Sequence, residues 1–303
     1  MMYQAQSIEA LTIAQALRVD SKTHPQSLHE TIVAVDTREL IQILMYILDK
    51  NYTFIRTYPD FQLSTEQTEQ FIKLKQQLQS GMPLAYVLGE QAFWTLNLKV
   101  AADTLIPRPD TEIIIVTILE LLSKNKALNV IDMGTGTGAI ALSLASECPL
   151  WQVTATDFSI GALAVAKENA LAHGLDHVRF LQGNWFDALS SLSDCDDRTF
   201  DLIVSNPPYI DPDDVHLIEL THEPITALVA QDKGLSDLKM IVSQAPKHLK
   251  SDGWLVLEHG YNQGADVRYL MLNAGLADVR TVRDYGGNER VTLGRKNAAR
   301  AVE

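Results

Sequence analysis

The first third of the chain carries its apolar residues at the spacing of amphipathic helices. They recur every three or four positions after capping-box sequences at residues 36–39 and 64–67, and Gly81 ends the second run. Residues 1 to about 80 are therefore predicted to be helical. Residues 19–35 are the exception, because a histidine–proline pair there favours a loop.

The hydrophobic pattern changes after residue 90. Alternation of apolar and polar residues between Gln91 and Ala101 predicts a hairpin, which we expect to link two domains. From Leu105 onwards, strand-like and helix-like runs alternate, which predicts a mostly parallel sheet covered on both faces. The predicted strands lie at 129–133, 153–156, 178–181, 202–205, 254–258 and, as a closing antiparallel pair, within 277–293; the predicted helices lie at 139–145, 160–173, 235–249 and 262–273.

A glycine loop follows the first strand of this sheet. Gly134, Gly136 and Gly138 allow the backbone to turn tightly and a ligand to approach the main chain. Asp157 lies 19 residues after Gly138, at the end of the next strand, where its carboxylate is placed to accept hydrogen bonds from ribose hydroxyls. Alone, this is a weak signal, because an ordinary strand-to-helix turn or an NAD-binding domain explains it too.

Two details favour S-adenosyl-L-methionine over NAD as the ligand. The third glycine comes two residues after the second, whereas the dinucleotide fingerprint has three. A polar turn, Asn206-Pro207-Pro208-Tyr209, follows the strand at 202–205, and ligands bind beyond the carboxyl ends of parallel strands. Trp185 is predicted at the same edge, where it packs either on adenine or in the core.

The Asn-Pro-Pro-Tyr turn indicates chemistry at an amide or amino nitrogen. An amide nitrogen is a poor nucleophile, and acceptors for both of its N–H groups direct electron density back to it. The Asn206 side-chain oxygen and the Pro207 carbonyl are candidate acceptors, and Tyr209 is placed to lie against the flat amide face. Neither a strong base nor a metal is required. A plain turn after a strand is the alternative interpretation of these four residues.

The composition limits which binding partners and which cellular compartment are expected. The formal net charge of −13 disfavours nucleic acid, which requires clustered lysine and arginine. Cys148 and Cys195 have no metal-site or disulfide-framework spacing, which fits a reducing compartment. With neither a signal peptide nor a membrane span expected, we predict a cytoplasmic protein, and we expect a monomer.

Beyond about residue 80, the chain resembles the bacterial release factor protein-glutamine N5-methyltransferases, the HemK/PrmC family. The landmarks that carry the resemblance are Gly81 to Tyr86, Gly89-Glu90, Phe93-Trp94, Leu105 to Glu112, Asp132 to Gly138, Ser205 to Ile210, Glu223-Pro224, Glu258 to Gly260 and Asn288 to Thr292. Two departures are Asn184, where aspartate is expected, and residues 19–35, which are longer than usual.

The resemblance implies an α/β fold: a Rossmann-like, seven-stranded class I S-adenosylmethionine-dependent methyltransferase domain with a small helical N-terminal domain. The implied divisions are a release-factor-docking domain at 1–88, a β-hairpin linker at 89–104 and a methyltransferase domain at 105–303. The implied target is the glutamine of the Gly-Gly-Gln motif of class I peptide chain release factors. The implied site residues are Gly134, Thr135, Gly136, Thr137, Gly138, Asp157, Trp185 and Asn206 for the cofactor, and Asn206, Pro207, Pro208 and Tyr209 for the substrate glutamine.

Several other functions remain open on the sequence. Within the class, the acceptor is alternatively a glutamine of a ribosomal protein. An adenine-N6 nucleic-acid methyltransferase uses similar turns but conflicts with the acidic charge. A dehydrogenase leaves the Asn-Pro-Pro-Tyr turn unexplained, and a non-catalytic binding module leaves the intact motifs unexplained. Arg108, Glu112 and the Glu258-His259-Gly260 segment are further candidates to line the site, with surface or turn roles as the alternative.

Overall fold

A computed structural model of the chain describes residues 9–18, 34–192 and 197–297. The chain divides into two compact units, residues 1–89 and 90–303. Most of the loop predicted at 19–35 and most of the polar tail lie outside the described residues, as does Cys195. In the described part of the chain, no helix is long and apolar enough to cross a membrane.

The first unit is helical, as the apolar spacing predicts. Both predicted capping boxes form, with Asp36 and Ser64 each accepting a backbone N–H of the first helical turn. The apolar faces of the helices meet in one core that contains Leu40, Leu44 and Phe71. The helices are α1 (Ile13–Ala16), α2 (Thr37–Leu48), α3 (Tyr52–Thr57), α4 (Thr65–Gln79) and α5 (Leu84–Leu88).

The second unit begins with the predicted hairpin. Strands β1 (Glu90–Phe93) and β2 (Leu96–Lys99) pair antiparallel. Phe93 and Leu98 are buried in a core shared with the helices of this unit. Glu112 Oε1 accepts the backbone N–H of Trp94 at 2.8 Å, so Glu112 anchors the hairpin. The hairpin is confirmed, whereas its role as a linker between domains stays a prediction.

Among the described residues, seven strands form one sheet in the order β5-β4-β3-β6-β7-β9-β8. β3 to β7 run parallel, while β9 pairs antiparallel with both of its neighbours. The closing antiparallel pair is therefore confirmed. The strands are β3 (Asn129–Met133), β4 (Gln152–Asp157), β5 (Arg179–Gln182), β6 (Phe200–Ser205), β7 (Leu249–Glu258), β8 (Leu276–Arg283) and β9 (Glu289–Lys296).

Helices cover both faces of this sheet and form two apolar cores with it. They are α6 (Glu112–Leu121), α7 (Ala139–Glu147), α8 (Ile160–Ala172), α9 (Gln231–Gly234), α10 (Ser236–His248) and α11 (Gly264–Asn273). The predicted elements are all present, with ends displaced by a few residues. Short 3-10 turns lie at 109–111, 185–191, 215–220 and 225–227.

The sheet register brings the predicted motifs to one edge. Met133 pairs with Thr156 on one side and with Ser205 on the other, and Ser205 pairs in turn with Leu257. Gly134 and Asn206 follow their strands, and Asp157 and Glu258 end theirs. These residues are therefore neighbours at the carboxyl ends, where open parallel sheets bind ligands.

Candidate active site

A cavity of about 560 Å³ opens at this edge. It receives side chains and backbone from the segments after β3, β4, β5 and β6. The lining residues are Asp103, Thr104, Leu105, Gly134, Gly136, Asp157, Phe158, Ser159, Ile160, Ala162, Gln182, Gly183, Asn184, Trp185, Asn206, Pro208, Pro224, Thr226, Ala227, Val229 and Asp237.

The glycine loop contributes two of its three glycines to the cavity. Gly134 and Gly136 line it, with φ angles of 71° and 55° that favour glycine. Gly138 has a φ of 85° and packs against α7, where an added Cβ would lie 2.9 Å from Leu142 Cδ1. The first two glycines therefore present main chain to a ligand, and the third sets the packing of the helix.

Two threonines of the loop do not line the cavity. The Thr135 hydroxyl donates to Asp132 Oδ2 at 2.6 Å, and the Thr137 carbonyl accepts from Asn169 at 2.9 Å. Burial raises the pKa of Asp132 to about 7. The cofactor-binding roles implied for Thr135, Thr137 and Gly138 stay predictions, and their observed contacts stabilise the loop.

Asp157 both lines the cavity and fixes the loop. Its Oδ2 accepts the Gly136 N–H at 2.8 Å, and its Oδ1 accepts the Ser159 N–H at 2.8 Å. Burial raises the pKa of Asp157, and the backbone donors oppose that rise. Each carboxylate oxygen has a further lone pair for a ligand hydroxyl.

Trp185 forms an aromatic wall of the same cavity. A Cβ added to Gly134 would lie 3.4 Å from its ring, so the indole packs directly over the loop. The indole N–H donates to Asp237 Oδ1 at 3.2 Å. Phe158 and Ile160 line the cavity although they are largely exposed, which adds apolar surface near the indole.

Asn206 lines two adjoining cavities. The second has a volume of about 90 Å³, and Asn206, Leu105 and Ala227 belong to both linings. Pro208 faces the larger cavity, while Pro207 and Tyr209 face the smaller one. The complete lining of the smaller cavity is Leu105, Arg108, Asn206, Pro207, Tyr209, Ile210, Leu220, Ala227 and Leu228.

Tyr209 connects the turn to a buried carboxyl group. Its hydroxyl donates to Glu258 Oε1 at 3.1 Å, and burial raises the pKa of the phenol. Glu258 is 1% exposed, and burial raises its pKa to about 7. Glu258 Oε2 makes no hydrogen bond with the described residues. Glu258 thus lies beneath the turn, and it lines neither cavity.

Arg108 closes one side of the smaller cavity. Its guanidinium forms an ion pair with Glu223, which also accepts the Ile106 N–H at 3.1 Å. Glu223 is buried, so this pair ties the segment before α6 to the segment that contains Pro224. His259 is instead an interior residue, with Nε2 2.8 Å from Thr292 Oγ1.

Other lining residues differ in how far the sequence indicated them. Asp237 had no sequence signal, because it lies in α10 and contacts Trp185 across 52 positions. Pro224 belongs to the Glu223-Pro224 landmark, whereas Thr226 and Ala227 had no signal. Gln182 is the last residue of β5 and Gly183 follows it, so the rule that ligands bind at strand ends points to both.

Comparisons with known proteins agree with this geometry. The PrmC N-terminal domain family matches residues 26–89, and the methyltransferase small domain family matches residues 115–287. Proteins named release factor glutamine methyltransferase are 49% identical in Pseudomonas aeruginosa, over 83% of this chain and 90% of that protein, and 43% identical in Aliivibrio fischeri, over 95% and 97%. The chain belongs to the release factor glutamine methyltransferase family. The resemblance inferred from the motifs is thereby confirmed.

A solved structure shows that the fold is shared more widely. A methyltransferase from Pyrococcus furiosus superposes with a TM-score of 0.50 at 17% identity, over 77% of this chain and 99% of that chain. The predicted class, a Rossmann-like methyltransferase fold with a helical N-terminal domain, is confirmed. Membership of the glutamine methyltransferase family does not favour the dehydrogenase, nucleic-acid or non-catalytic alternatives.

Proposed function

We propose that this protein transfers a methyl group from S-adenosyl-L-methionine to the side-chain amide nitrogen (N5) of the glutamine in the Gly-Gly-Gln motif of class I peptide chain release factors. The family supports the reaction. The observation that carries the site is that Asn206 lies between a large and a small adjoining cavity.

The larger cavity suits the methyl donor. Its volume falls within the roughly 300–1,000 Å³ of small-molecule sites, and different groups in its lining suit different parts of the donor. Gly134 and Gly136 present main chain, Asp157 accepts ribose hydroxyls, and Trp185 packs against the adenine. When bound, S-adenosyl-L-methionine supplies an electrophilic methyl group attached to a positively charged sulfur.

The smaller cavity suits the carboxamide of a glutamine side chain. The Asn206 side-chain oxygen and the Pro207 carbonyl accept the two N–H groups of the substrate amide. Proline has no N–H, so the turn offers this carbonyl in a fixed geometry without a competing donor. The two acceptors favour the form of the amide with more electron density on nitrogen and stabilise the positive charge that grows there.

Alignment of the amide nitrogen with the donor methyl group supplies much of the remaining rate of methyl transfer. Because Asn206 borders both cavities, the amide nitrogen held by it faces the cavity that holds the donor methyl group. The N-methylated amide cation loses its extra proton readily, so transfer needs no strong base. The Arg108–Glu223 ion pair fixes the Arg108 side chain at the border of the acceptor cavity.

Recognition of the release factor is assigned to the N-terminal residues 1–88, with residues 89–104 as the linker. The family supports this assignment through the PrmC N-terminal domain match at 26–89. The independent core of the first unit, built around Leu40, Leu44 and Phe71, gives such a docking surface a stable base.

Mass spectrometry of a release factor tests the reaction. The factor is incubated with this protein and S-adenosyl-L-methionine that carries a trideuterated methyl group, then digested and sequenced. We expect one labelled methyl on the Gly-Gly-Gln glutamine and none on a factor whose glutamine is replaced by glutamate. Label on a ribosomal protein, with none on the release factor in the same mixture, would overturn the proposed acceptor.

A further inference from the structure

Thr111 contacts the side chain on which the proposed reaction depends. It lies at the start of α6, is 4% exposed, and its Oγ1 accepts a hydrogen bond from Asn206 Nδ2 at 3.2 Å. The two residues are 95 positions apart. With Nδ2 held by Thr111, the Asn206 oxygen is the end of the carboxamide that remains for a substrate amide.

The orientation of this carboxamide decides whether it can hold an amide nitrogen. The oxygen end accepts hydrogen bonds, whereas the NH2 end only donates. A half-turn of the Asn206 side chain would set an NH2 group against the N–H groups of the substrate. Such a contact is repulsive and leaves the substrate amide without its acceptor.

The hydrogen bond to Thr111 commits the NH2 end of Asn206. The threonine hydroxyl oxygen has two lone pairs with which to accept this donor. Removal of the hydroxyl would leave the NH2 group without this acceptor, and the contact would no longer favour one orientation of the carboxamide over the other.

Glu258 lies close to this contact but is not part of it. It follows Leu257, which pairs in the sheet with Ser205, the residue before Asn206. Its Oε1 accepts the Tyr209 hydroxyl, and its Oε2 is buried without a hydrogen bond to the described residues. Glu258 therefore holds the turn at Tyr209, whereas Thr111 holds Asn206.

We propose that Thr111 is a positioning residue that holds the Asn206 carboxamide with its oxygen towards the acceptor glutamine. This proposal rests on the proposed function of Asn206. Thr111 lines neither cavity, so it acts only through the Asn206 side chain.

The kinetic signature follows from this geometry. Thr111 does not line the donor cavity, so loss of its hydroxyl leaves donor affinity intact. A freely turning Asn206 still admits the glutamine but presents the wrong end in part of the population. The loss therefore falls on kcat with the release factor more than on the KM for S-adenosyl-L-methionine.

Thr111→Val and Thr111→Ser form the matched pair of variants. Valine keeps the shape and removes the hydroxyl, while serine keeps the hydroxyl. We expect Thr111→Val to lower kcat about 10- to 100-fold, with donor Kd changed by less than about twofold. Thr111→Ser should stay within about threefold of the parent. Equal rates for Thr111→Val and the parent, or equal losses in both variants, would overturn the positioning role of Thr111.

A second parent protein, the Asn206→Asp variant, distinguishes loss of the Asn206 orientation from a general loss of structure. In Asn206→Asp, an oxygen faces the substrate whichever way the side chain turns. In that background, with transfer measured under single-turnover conditions, Thr111→Val should cost less than about threefold. A cost as large as in the parent would assign Thr111 a merely structural role. Full activity of Asn206→Ala is a different result, because it would overturn the proposed role of Asn206 itself.

Discussion

The backbone N–H of Gly136 donates to Asp157 Oδ2 at 2.8 Å, which ties the glycine loop after β3 to the end of β4. The other carboxylate oxygen accepts the Ser159 N–H at the start of α8. One carboxylate thus holds the two segments that flank the donor cavity. Its proposed contact with ribose hydroxyls therefore adds to a structural role.

Removing the Asp157 carboxylate should weaken donor binding through both roles. We expect Asp157→Ala to raise the Kd for S-adenosylhomocysteine by about 5- to 150-fold, the equivalent of about 1–3 kcal/mol. Isothermal titration calorimetry measures this directly. Asp176→Ala, at an exposed aspartate of the same unit, is the control. Unchanged affinity in Asp157→Ala would remove Asp157 from the site.

The ring of Trp185 is expected to contribute more to donor binding than its N–H group does. Trp185→Ala removes the wall over Gly134 and should weaken donor binding about 2- to 12-fold. Trp185→Phe keeps a flat ring and loses only the hydrogen bond to Asp237, so its affinity should remain closer to that of the parent. Equal affinities of the alanine variant and the parent in a fluorescence or calorimetric titration would contradict the stacking role.

Asn206→Ala should separate transfer from donor binding. We expect the rate of transfer to fall by at least about 100-fold, as on loss of a preorganised hydrogen-bonding group, with donor affinity only modestly reduced. Asn184→Ala is the matched control, because Asn184 lines the larger cavity and not the smaller. It should weaken donor binding and leave the rate at saturation near that of the parent. The reverse pattern would contradict the assignment of Asn206.

The pH dependence of stability should report Glu258. Burial raises its pKa from 4.5 to about 7 in the folded protein. The folded state therefore binds this proton more tightly, and the contribution is fully present below about pH 4.5 and is lost as the pH rises through about 7. The loss amounts to at most about 3 kcal/mol.

Glu258→Gln removes that loss, because glutamine does not titrate. Between about pH 4.5 and 7, the free energy of unfolding, measured with a chemical denaturant, should fall less steeply in the variant. Asp132, whose pKa is also about 7, is present in both proteins and cancels from the comparison. Parallel pH profiles would show that Glu258 does not titrate in this range.

The spacing of apolar residues along the chain was sufficient to predict the fold. Alternating runs predicted the parallel sheet, and the rule that ligands bind at strand ends brought Gly134, Asp157 and Asn206 to one edge. These features depend on local pattern, which a single sequence carries. The loop motif did not show which of its residues face the cavity. Thr135 instead binds the buried Asp132, a contact that depends on how the loop folds back onto its strand.

Contacts between segments that are distant along the chain could not be predicted from the sequence. Thr111 lies in a recognisable motif, but only the folded chain brings its hydroxyl, just ahead of α6, to Asn206 after β6. The same holds for Asp237 and Trp185, whose hydrogen bond joins α10 to the turn after β5. Glu258 was recognised as a strand-end residue, while its burial beneath Tyr209 follows from the register of β6 and β7.

A structure of this protein with S-adenosylhomocysteine and a release factor tests the central claim most directly. The account predicts the amide nitrogen of the Gly-Gly-Gln glutamine at about 2.7–3.2 Å from both the Asn206 side-chain oxygen and the Pro207 carbonyl oxygen. It also predicts that the donor sulfur lies in the larger cavity and faces that nitrogen, with room for the transferred methyl group between the two atoms. A glutamine amide held away from these two oxygens, or donor and acceptor in separate parts of the molecule, would contradict it.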